Sequence, residues 1–402
     1  MSHRSGSLES LRELNRLRVV DALRRHGTLS RADIAKVTGL SRSTISTLVA
    51  DLHASGFVAE RDALDQARVP VVGRPPVMLR LDPPAGIAVG IAFDHVRVQV
   101  AVSDLSRAVL SEGAAELDVD HDASGALEVA GGLVAESLDR AGFAAGMVLA
   151  VGVALPGPVD ASHHRLHDSA ILEGWTGVDV AADLRERLSA PVHIDNDANL
   201  GALAEVTLGA GRRARTAIYL QLSSGVGAGL VVAGQPFRGA TGVAGEIGHV
   251  IVAEGGLLCR CGRRGCLETL VSGPAIVERI AATRSDRLTL ARIVDLAHAG
   301  DADCRAAIAE AGRLTGVVLA DACNLLNPEI VVVGGELSGA GRWLLEPLET
   351  ALLGRALPAT TRDLEVVGGE LGDRANCMGA LALAISHSEQ AVAARIRASR
   401  RA

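Results

Sequence analysis

The chain has 402 residues, of which 48% are hydrophobic and 22% are charged, with a formal net charge of −7. One hydrophobic core seldom organises a chain of this length, so we expect two or three domains. Aromatic residues make up only 2% of the chain, which argues against an aromatic surface that stacks on nucleic-acid bases. The first residues contain no apolar run typical of a secretory signal, so we expect a cytoplasmic protein that does not contact membranes.

Charge is distributed unevenly along the chain. Residues 1–80, called the head from here on, hold thirteen Lys and Arg against eight Asp and Glu. The remainder, called the body, is acidic. We therefore expect only the head to contact a polyanion such as double-stranded DNA.

The head contains a predicted helix-turn-helix. Ser30 is placed to cap a short helix through Val37, Gly39 supplies a tight turn, and Ser41 is placed to cap a second helix that runs to about Ala54. In this motif the first residues of the second helix meet base edges in the major groove. Those residues here are Arg42, Ser43, Thr44, Ser46 and Thr47. An ordinary helical hairpin with a solvated polar face is the alternative, but the turn chemistry and the basic charge favour DNA binding.

The rest of the head, from Phe57 to Leu81, predicts a two-stranded wing. Its last part, "VGRPPVMLRL", places Arg74 between a glycine and two prolines that hold the backbone extended. One interpretation is that Arg74 enters a narrow minor groove rich in A/T pairs. The other is that this segment is a stiff linker to the body. We therefore expect residues 1–80 to form a winged helix-turn-helix with its linker.

The body predicts an α/β fold built twice on one plan. "GIAVGIAFDHVRVQVAVSDL" reads as two apolar strands, and "TAIYLQLSSGVGAGLVVAGQP" repeats that pattern later in the chain. Helices and buried strands alternate after each pair. We expect two lobes, residues 81–198 and 199–402, with a cleft between them that binds a small ligand.

Four loops of the body carry the polar residues that such a cleft needs. The residues are Gly157, Asn196, Asp197, Glu246, His249 and Glu268. With these motifs the body resembles the ROK family of bacterial repressors and sugar kinases, and with its head the chain resembles the xylose-repressor and N-acetylglucosamine-repressor branch. The resemblance implies an actin-like (ribonuclease H-like, sugar-kinase) two-lobe fold, in which these six residues form the sugar site.

Asp197 has two interpretations. In the family's kinases, the resemblance implies, an aspartate at this position is the general base that accepts a proton from the attacked hydroxyl. The residues alone also allow a helix cap, since Asp197 precedes a predicted helix. In a regulator we expect no catalytic residue.

The segment "HVIVAEGGLLCRCGRRGCLE" holds one histidine and three cysteines within eighteen residues: His249, Cys259, Cys261 and Cys266. This donor set is that of a closed, tetrahedral structural zinc site, and it matches the zinc site implied by the resemblance. Incidental thiols and a reactive cysteine are the alternatives. Because Glu246 and Glu268 lie just outside these ligands, we expect bound zinc to fix the loops that present both carboxylates.

The first phosphate turn departs from the family pattern. Kinases of the family share an Asp-x-Gly-Gly-Thr turn, and the aligned residues here are Ala92, Phe93, Asp94, His95 and Val96. Side chains in place of glycines crowd the phosphates and Asp94 adds negative charge, so we do not expect ATP or magnesium to bind. The second turn keeps Ser224, Gly225 and Gly227. A shift in register would instead place Asp94 in the magnesium role.

Together these features predict a sugar-responsive, DNA-binding regulator of carbohydrate metabolism genes, acting as a repressor on the nucleoid, and not an enzyme. The expected effector is a sugar or sugar phosphate in the cleft between the lobes. Because helix-turn-helix heads act as symmetric pairs, we expect a homodimer or a homotetramer. The alternative from another class is an ATP-dependent sugar kinase with a regulatory DNA-binding head.

Overall fold

A computed structural model describes residues 8–61, 77–82, 85–160, 165–166, 172–282, 284, 288–388 and 391–392. These residues form a winged helix-turn-helix followed by a mixed α/β body with two five-stranded sheets, so the predicted fold class is confirmed. Within these ranges no helix has the length and apolar character needed to cross a membrane.

The head contains three helices and a small sheet. They are α1 (Leu8–His26), β1 (Leu29–Ser30), α2 (Arg31–Thr38), α3 (Arg42–Ala54), β2 (Val58–Arg61) and β3 (Met78–Leu81). Strand β3 lies between β1 and β2 and is antiparallel to both. The two wing strands β2 and β3 were predicted, but β1 was not, because a two-residue strand is too short to show a periodic pattern. The segment between β2 and β3, with Arg74, lies outside the described residues.

The two helices of the predicted motif begin and end where the caps require. The Ser30 hydroxyl accepts a hydrogen bond from the Asp33 backbone N–H at 3.2 Å, and the Ser41 hydroxyl accepts one from the Thr44 backbone N–H at 3.1 Å. Gly39 ends α2 with a φ of +71°, a left-handed conformation that favours glycine. The cap positions were therefore predicted correctly.

The first part of the body forms one five-stranded sheet with two helices. The elements are β4 (Ile87–Asp94), β5 (Arg97–Asp104), β6 (Val109–Glu116), α4 (Ala123–Ala141), β7 (Val148–Leu155), β8 (Val159–Asp160), β9 (Arg165–Leu166), α5 (Val180–Leu188) and β10 (Val192–Asn196). The sheet order is β10-β7-β4-β5-β6, with β8 and β9 paired separately. Apolar residues of the sheet, α4 and α5 form one core.

The second part begins with α6 and forms the other large sheet. The elements are α6 (Asp197–Thr207), β11 (Ala217–Leu222), β12 (Val226–Val232), β13 (Gln235–Pro236), α7 (Glu268–Val271), α8 (Gly273–Ala281), α9 (Leu290–Ala299), α10 (Ala302–Leu326), β14 (Ile330–Gly334), α11 (Arg342–Leu353), α12 (Pro358–Thr361), β15 (Glu365–Gly368) and α13 (Ala375–His387). The sheet order is β13-β12-β11-β14-β15.

The two sheets follow the same plan. In each, three sequential strands pair antiparallel, and two further strands extend the sheet in parallel from the first of the three. This repeat is what the two similar hairpin sequences predicted. In a parallel pair the carboxyl ends share one edge, so the loops after β4, β7 and β10 gather at one end of the first sheet.

Helix α13 returns to the first sheet, although the sequence analysis counted it with the second lobe. It packs against β4, β7 and α6. A Cβ on Gly90 would lie 2.6 Å from the Cys377 carbonyl oxygen, and one on Gly152 would collide with the Ala380 carbonyl. Glycines in β4 and β7 therefore let the helix backbone approach the sheet closely. The exact lobe boundaries remain our proposal.

Candidate DNA interface, ligand cavity and metal cluster

Helix α3 presents the predicted DNA-contacting residues on the surface of the head. Arg42, Ser43, Ser46 and Thr47 are exposed, whereas Ile45, Leu48, Val49 and Leu52 of the same helix are buried in the head's core. Thr44 is half-buried, and its hydroxyl lies 2.8 Å from the hydroxyl of the cap residue Ser41. The exposed face thus carries one guanidinium and three hydroxyls, and Thr44 contributes to the helix cap.

One cavity of the body is lined by all six residues of the predicted sugar site. Gly157 follows β7, Asn196 and Asp197 join β10 to α6, Glu246 and His249 lie in the loop after β13, and Glu268 begins α7. Further residues that line the cavity are His95, Pro156, Gln221, Ser224, Gly225, Val226, Gly227, Ala228, Gly245 and Arg260. Loops that are more than 100 residues apart in the chain thus meet at a single polar site.

Asn196 and Asp197 are positioned by the start of α6. Asn196 is the helix cap, since its side-chain oxygen accepts from the Asn199 N–H at 3.1 Å, and its amide donates to the Gly157 carbonyl at 2.9 Å. The carboxylate of Asp197 accepts from the Gln221 amide at 2.8 Å. Asn196, rather than Asp197, therefore fulfils the capping role, which leaves the Asp197 carboxylate at the cavity wall.

Asp197 is half-buried, and desolvation of its carboxyl raises the pKa of that group to about 7. The nearby Asp94 carboxylate raises it further, while the Ala198 backbone N–H, the His95 imidazole and the Gln221 amide act in the opposite direction. A carboxyl with this pKa exchanges its proton near neutral pH. Burial and the neighbouring Glu268 carboxylate likewise raise the pKa of Glu246.

His249 stands between the cavity and the cysteines. Its Nδ1 lies 3.5 Å from the Cys259 sulfur, and its Nε2 lies 3.7 Å from a carboxylate oxygen of Glu246. The Glu268 carboxylate accepts from the Val226 backbone N–H at 3.2 Å and lies 3.3 Å from Arg260 Nε. The two carboxylates are therefore supported by the same loop that carries the cysteines.

The predicted metal ligands form one cluster. The ligand atoms of His249, Cys259, Cys261 and Cys266 all lie within 4.8 Å of one another. The Cys261 and Cys266 sulfurs are 3.6 Å apart and neither is in a disulfide. Two sulfurs bound to one tetrahedral zinc at about 2.3 Å are separated by roughly 3.8 Å, so this donor set fits such an ion. The cluster can bind a metal.

The aligned phosphate turn lies between the ligand cavity and a second, larger cleft. Ala92, Asp94 and Val96 line the second cleft, whereas the His95 side chain lines the ligand cavity. The Ser224 hydroxyl donates to the Asp94 carboxylate at 3.1 Å and so joins the turns of the two sheets. The second cleft also contains Gly335, Glu336 and Asp373.

Several residues of the cavity escaped the sequence analysis. Gln221 stood out only as a polar residue within the apolar strand sequence "AIYLQL". Asp120, whose carboxylate lies 2.6 Å from His95 Nδ1, follows β6 in a loop without a motif. Arg260 lies between Cys259 and Cys261 in the chain, and that segment was interpreted only as a metal site. Such contacts depend on tertiary structure, which spacing alone does not reveal.

Solved structures share this architecture. A ROK family transcriptional regulator described as a homologue of the E. coli MLC protein aligns over 96% of this chain and 98% of its own, with a TM-score of 0.76 and 24% identity. A ROK family glucokinase from Streptomyces griseus, solved with glucose and AMPPNP, aligns over 75% of this chain and all of its own, with a TM-score of 0.68 and 28% identity. The former alignment includes the head, and the latter spans a share comparable to the body.

Sequence comparisons agree. The xylose repressor of Caldicellulosiruptor bescii is 29% identical over 95% of this chain and 98% of its own length. The DNA-binding transcriptional dual regulator NagC of Escherichia coli is 29% identical over 94% of each chain. A MarR family model matches residues 13–68 of the head, and the ROK family model matches residues 95–387, well over half of the chain. The chain therefore belongs to the ROK family.

Proposed function

We propose that this protein is a sugar-responsive, DNA-binding transcriptional repressor of carbohydrate metabolism genes. The observation that carries the proposal is the presence, in one chain, of a helix-turn-helix whose helix α3 has an exposed polar face and of a cavity lined by all six residues of the predicted sugar site. The names of the relatives, xylose repressor and NagC, support the same function. Acting on DNA, the protein would work in the cytoplasm, at the nucleoid.

The head contacts the operator through α3. Arg42, Ser43, Ser46 and Thr47 meet base edges or phosphates in the major groove, and Arg74 of the wing reaches the minor groove. Thr44 belongs to the same set, and its hydroxyl and that of Ser43 lie 2.8 Å and 2.9 Å from the hydroxyl of the cap residue Ser41. A homodimer binds two half-sites related by a two-fold axis. Its mass on operator DNA, measured by light scattering, tests this assembly, and a single chain on the operator would refute it.

The body binds the effector sugar in the cavity. The carboxylates of Asp197, Glu246 and Glu268 accept hydrogen bonds from sugar hydroxyls, and Asn196 and His249 add directional contacts. Gly157 orients Asn196 through its carbonyl. Because carboxylates and hydroxyls form short, directional bonds, these residues distinguish a polyol from an apolar molecule.

Zinc is the metal that the cluster is best suited to hold, through His249, Cys259, Cys261 and Cys266. When bound, zinc supplies a structural crosslink between the loop before Cys259 and the start of α7. Two of these ligand residues also contact the carboxylates of the sugar site and so help to position them. His249 lies against Glu246, and the Cys259 sulfur lies 3.9 Å from a carboxylate oxygen of Glu268. Metal binding therefore supports the shape of the sugar site.

The experiment that tests the repressor function uses the purified full-length chain. Genomic fragments that it retains are sequenced to define an operator, and the affinity for that operator is then measured by fluorescence anisotropy with each of a panel of sugars. We expect sequence-selective binding that one sugar weakens. Failure to retain any specific sequence would refute the proposal.

A sugar kinase is the second candidate, and two observations favour it. Asp197 lines the cavity with the pKa near neutrality that a general base needs, and the second phosphate turn keeps its glycines. Against it stand Asp94, His95 and Val96 in the first turn. A coupled assay of ATP consumption with the same sugar panel decides the question, because sugar-dependent turnover would establish the kinase and exclude a purely regulatory body.

A further inference from the structure

The turn after β4 lies between the ligand cavity and the neighbouring larger cleft. Asp94 lines the larger cleft and His95 lines the ligand cavity. The Asp94 carboxylate accepts from the His95 backbone N–H at 2.7 Å and from the Ser224 hydroxyl at 3.1 Å. The turn therefore joins the two sheets. Asp94 lines the larger cleft on one side of the turn, and His95 lines the ligand cavity on the other.

The imidazole of His95 is held in one orientation. Its Nδ1 lies 2.6 Å from a carboxylate oxygen of Asp120, and the side chain is only 12% exposed. An ionised carboxylate can only accept a hydrogen bond, so Nδ1 carries the proton. That arrangement leaves Nε2 as the ring nitrogen that can meet a ligand in the cavity.

The backbone around His95 is equally well supported. Its carbonyl accepts from the Val119 N–H at 3.1 Å, and the Val119 carbonyl accepts from the Trp175 indole N–H at 2.6 Å. Trp175 is buried and packs edge-on against Phe93 with ring centroids 5.1 Å apart. Two of the chain's few aromatic residues thus fix the turn, which is the kind of rigid support that a ligand contact requires.

The same cavity offers little to an anion. The Val226 N–H already donates to Glu268, and Arg260 is paired with Glu268 at 3.3 Å. The Ser224 hydroxyl is bonded to Asp94. A phosphate group near the turn would face the carboxylates of Asp94 and Asp197, and this repulsion between like charges is unfavourable in a site of low dielectric. Hydroxyl groups that donate to carboxylates have no such cost.

We infer that His95 contacts the effector directly and, together with Asp94, restricts the effector class to unphosphorylated sugars. In this arrangement a hydroxyl of the sugar hydrogen-bonds to His95 Nε2, while the two side chains occupy the space that a phosphate on that hydroxyl would need. The inference rests on the proposed function, because it assigns a class to the sugar that the repressor senses.

The first test compares free sugars with their phosphates by isothermal titration calorimetry on the full-length, zinc-loaded protein. The probes are glucose, mannose and N-acetylglucosamine, each with its 6-phosphate, and xylose. We expect at least one free sugar to bind, and any hexose that binds to do so at least about tenfold more tightly than its 6-phosphate. A phosphate that binds as tightly as its sugar, or more tightly, overturns the inference and leaves the repressor function standing. Absence of binding by every probe contradicts the proposed sugar effector itself.

The second test replaces the turn residues. His95→Ala should weaken binding of the free sugar about tenfold or more. The double variant Asp94→Gly with His95→Gly should reduce the ratio between the affinity for the free sugar and the affinity for its 6-phosphate. Val96→Ala is the matched control, since Val96 belongs to the same turn, is 64% exposed and does not line the sugar cavity. It should change neither affinity.

The ratio of the two affinities separates a contact from a structural role. A variant that is merely less stable binds the sugar and its phosphate more weakly by the same factor, so the ratio of the two affinities stays constant. Operator affinity without sugar, together with zinc content, shows that each variant is folded. If folded His95→Ala protein binds the free sugar within twofold of the parent, His95 is not a contact and the inference is wrong.

Discussion

The guanidinium of Arg24, on α1 of the head, donates a hydrogen bond to the carbonyl oxygen of Ile385 in the last turn of α13 at 3.1 Å. The same carbonyl accepts from the Ser388 backbone N–H at 3.2 Å and hydroxyl at 2.7 Å, and the carboxyl end of a helix favours a cation. Two residues further on, His387 stacks on His193 of β10 with ring centroids 4.0 Å apart. Strand β10 ends at Asn196 in the ligand cavity, so a short series of contacts joins the head to the sugar site.

This connection predicts that Arg24→Ala reduces the effect of bound sugar on the affinity for operator DNA. Sugar affinity should stay within about twofold, because Arg24 is remote from the cavity. The ratio of operator affinities without and with sugar should fall towards one, since a ligand shifts an equilibrium only through contacts that differ between the states. Anisotropy titrations with and without sugar measure both quantities. Arg18→Ala is the control, because Arg18 is exposed on the same helix and its guanidinium bonds to Asn15 of that helix. A loss of coupling as large in that variant would disprove this route.

Arg42 should carry sequence specificity. Arg42→Ala should weaken operator binding by about 1–3 kcal/mol if the guanidinium reads a base edge. Arg42→Lys keeps the charge and loses the planar pair of donors, so it should behave like the alanine variant on the operator yet bind shuffled DNA normally. Anisotropy with both DNAs measures this. A lysine variant that binds the operator like the parent would show that Arg42 contacts a phosphate.

Loss of one cysteine should remove both metal and sugar binding. Cys261→Ser takes one of four ligands from the cluster, and the loop that supports Glu246 and Glu268 then loses its crosslink. Atomic absorption should find less than one zinc per chain, and calorimetry should find sugar affinity reduced at least about tenfold. Cys323→Ala, in the buried core of α10 and remote from the cluster, should keep its zinc. Normal sugar affinity in zinc-free Cys261→Ser protein would refute the coupling.

The pH dependence of sugar binding should follow Asp197. Its pKa is raised to about 7 in the folded chain, and only the ionised carboxylate accepts hydroxyl hydrogen bonds with full strength. Sugar affinity should therefore rise between about pH 6 and pH 8. Asp197→Asn should bind more weakly and lose most of this dependence. Calorimetry across that range checks both, and an unchanged pH profile in the variant would assign the titration to another group.

The same pKa has a consequence for stability. A group whose pKa is raised on folding binds its proton more tightly in the folded chain, so the stability that protonation provides is complete below the unfolded pKa near 4 and is lost as the pH rises through 7. Without ligand, the free energy of unfolding should decline over this window. Urea unfolding at pH 5 and pH 8 should show a smaller difference for Asp197→Asn than for the parent; an equal difference would contradict the assignment.

The sequence correctly predicted those features that depend on interactions between residues close together in the chain. Ser30, Gly39 and Ser41 determine the helix caps of the head, and these were placed correctly because capping is a short-range interaction. Cys259, Cys261 and Cys266 were grouped correctly because their spacing in the chain is close. The six residues of the predicted sugar site came instead from the family resemblance. They line one cavity, and their contact with a sugar remains our proposal.

What the sequence did not reveal depends on long-range packing. The return of α13 to the first sheet rests on Gly90 and Gly152, which are distant from that helix in the chain. The pairing of His95 with Asp120, and of Arg24 with Ile385, also joins distant segments. Periodicity identifies an apolar helix face but does not identify the sheet that covers it.

The most direct test of the account is the operator affinity of the full-length, zinc-loaded protein, measured by anisotropy with increasing amounts of a sugar that calorimetry shows to bind. For a sugar-responsive repressor we expect this sugar alone, without ATP or magnesium, to weaken operator binding at least about tenfold. A change of this size is within the range of ordinary allosteric coupling. A sugar that occupies the cavity and leaves operator affinity unchanged would contradict this expectation.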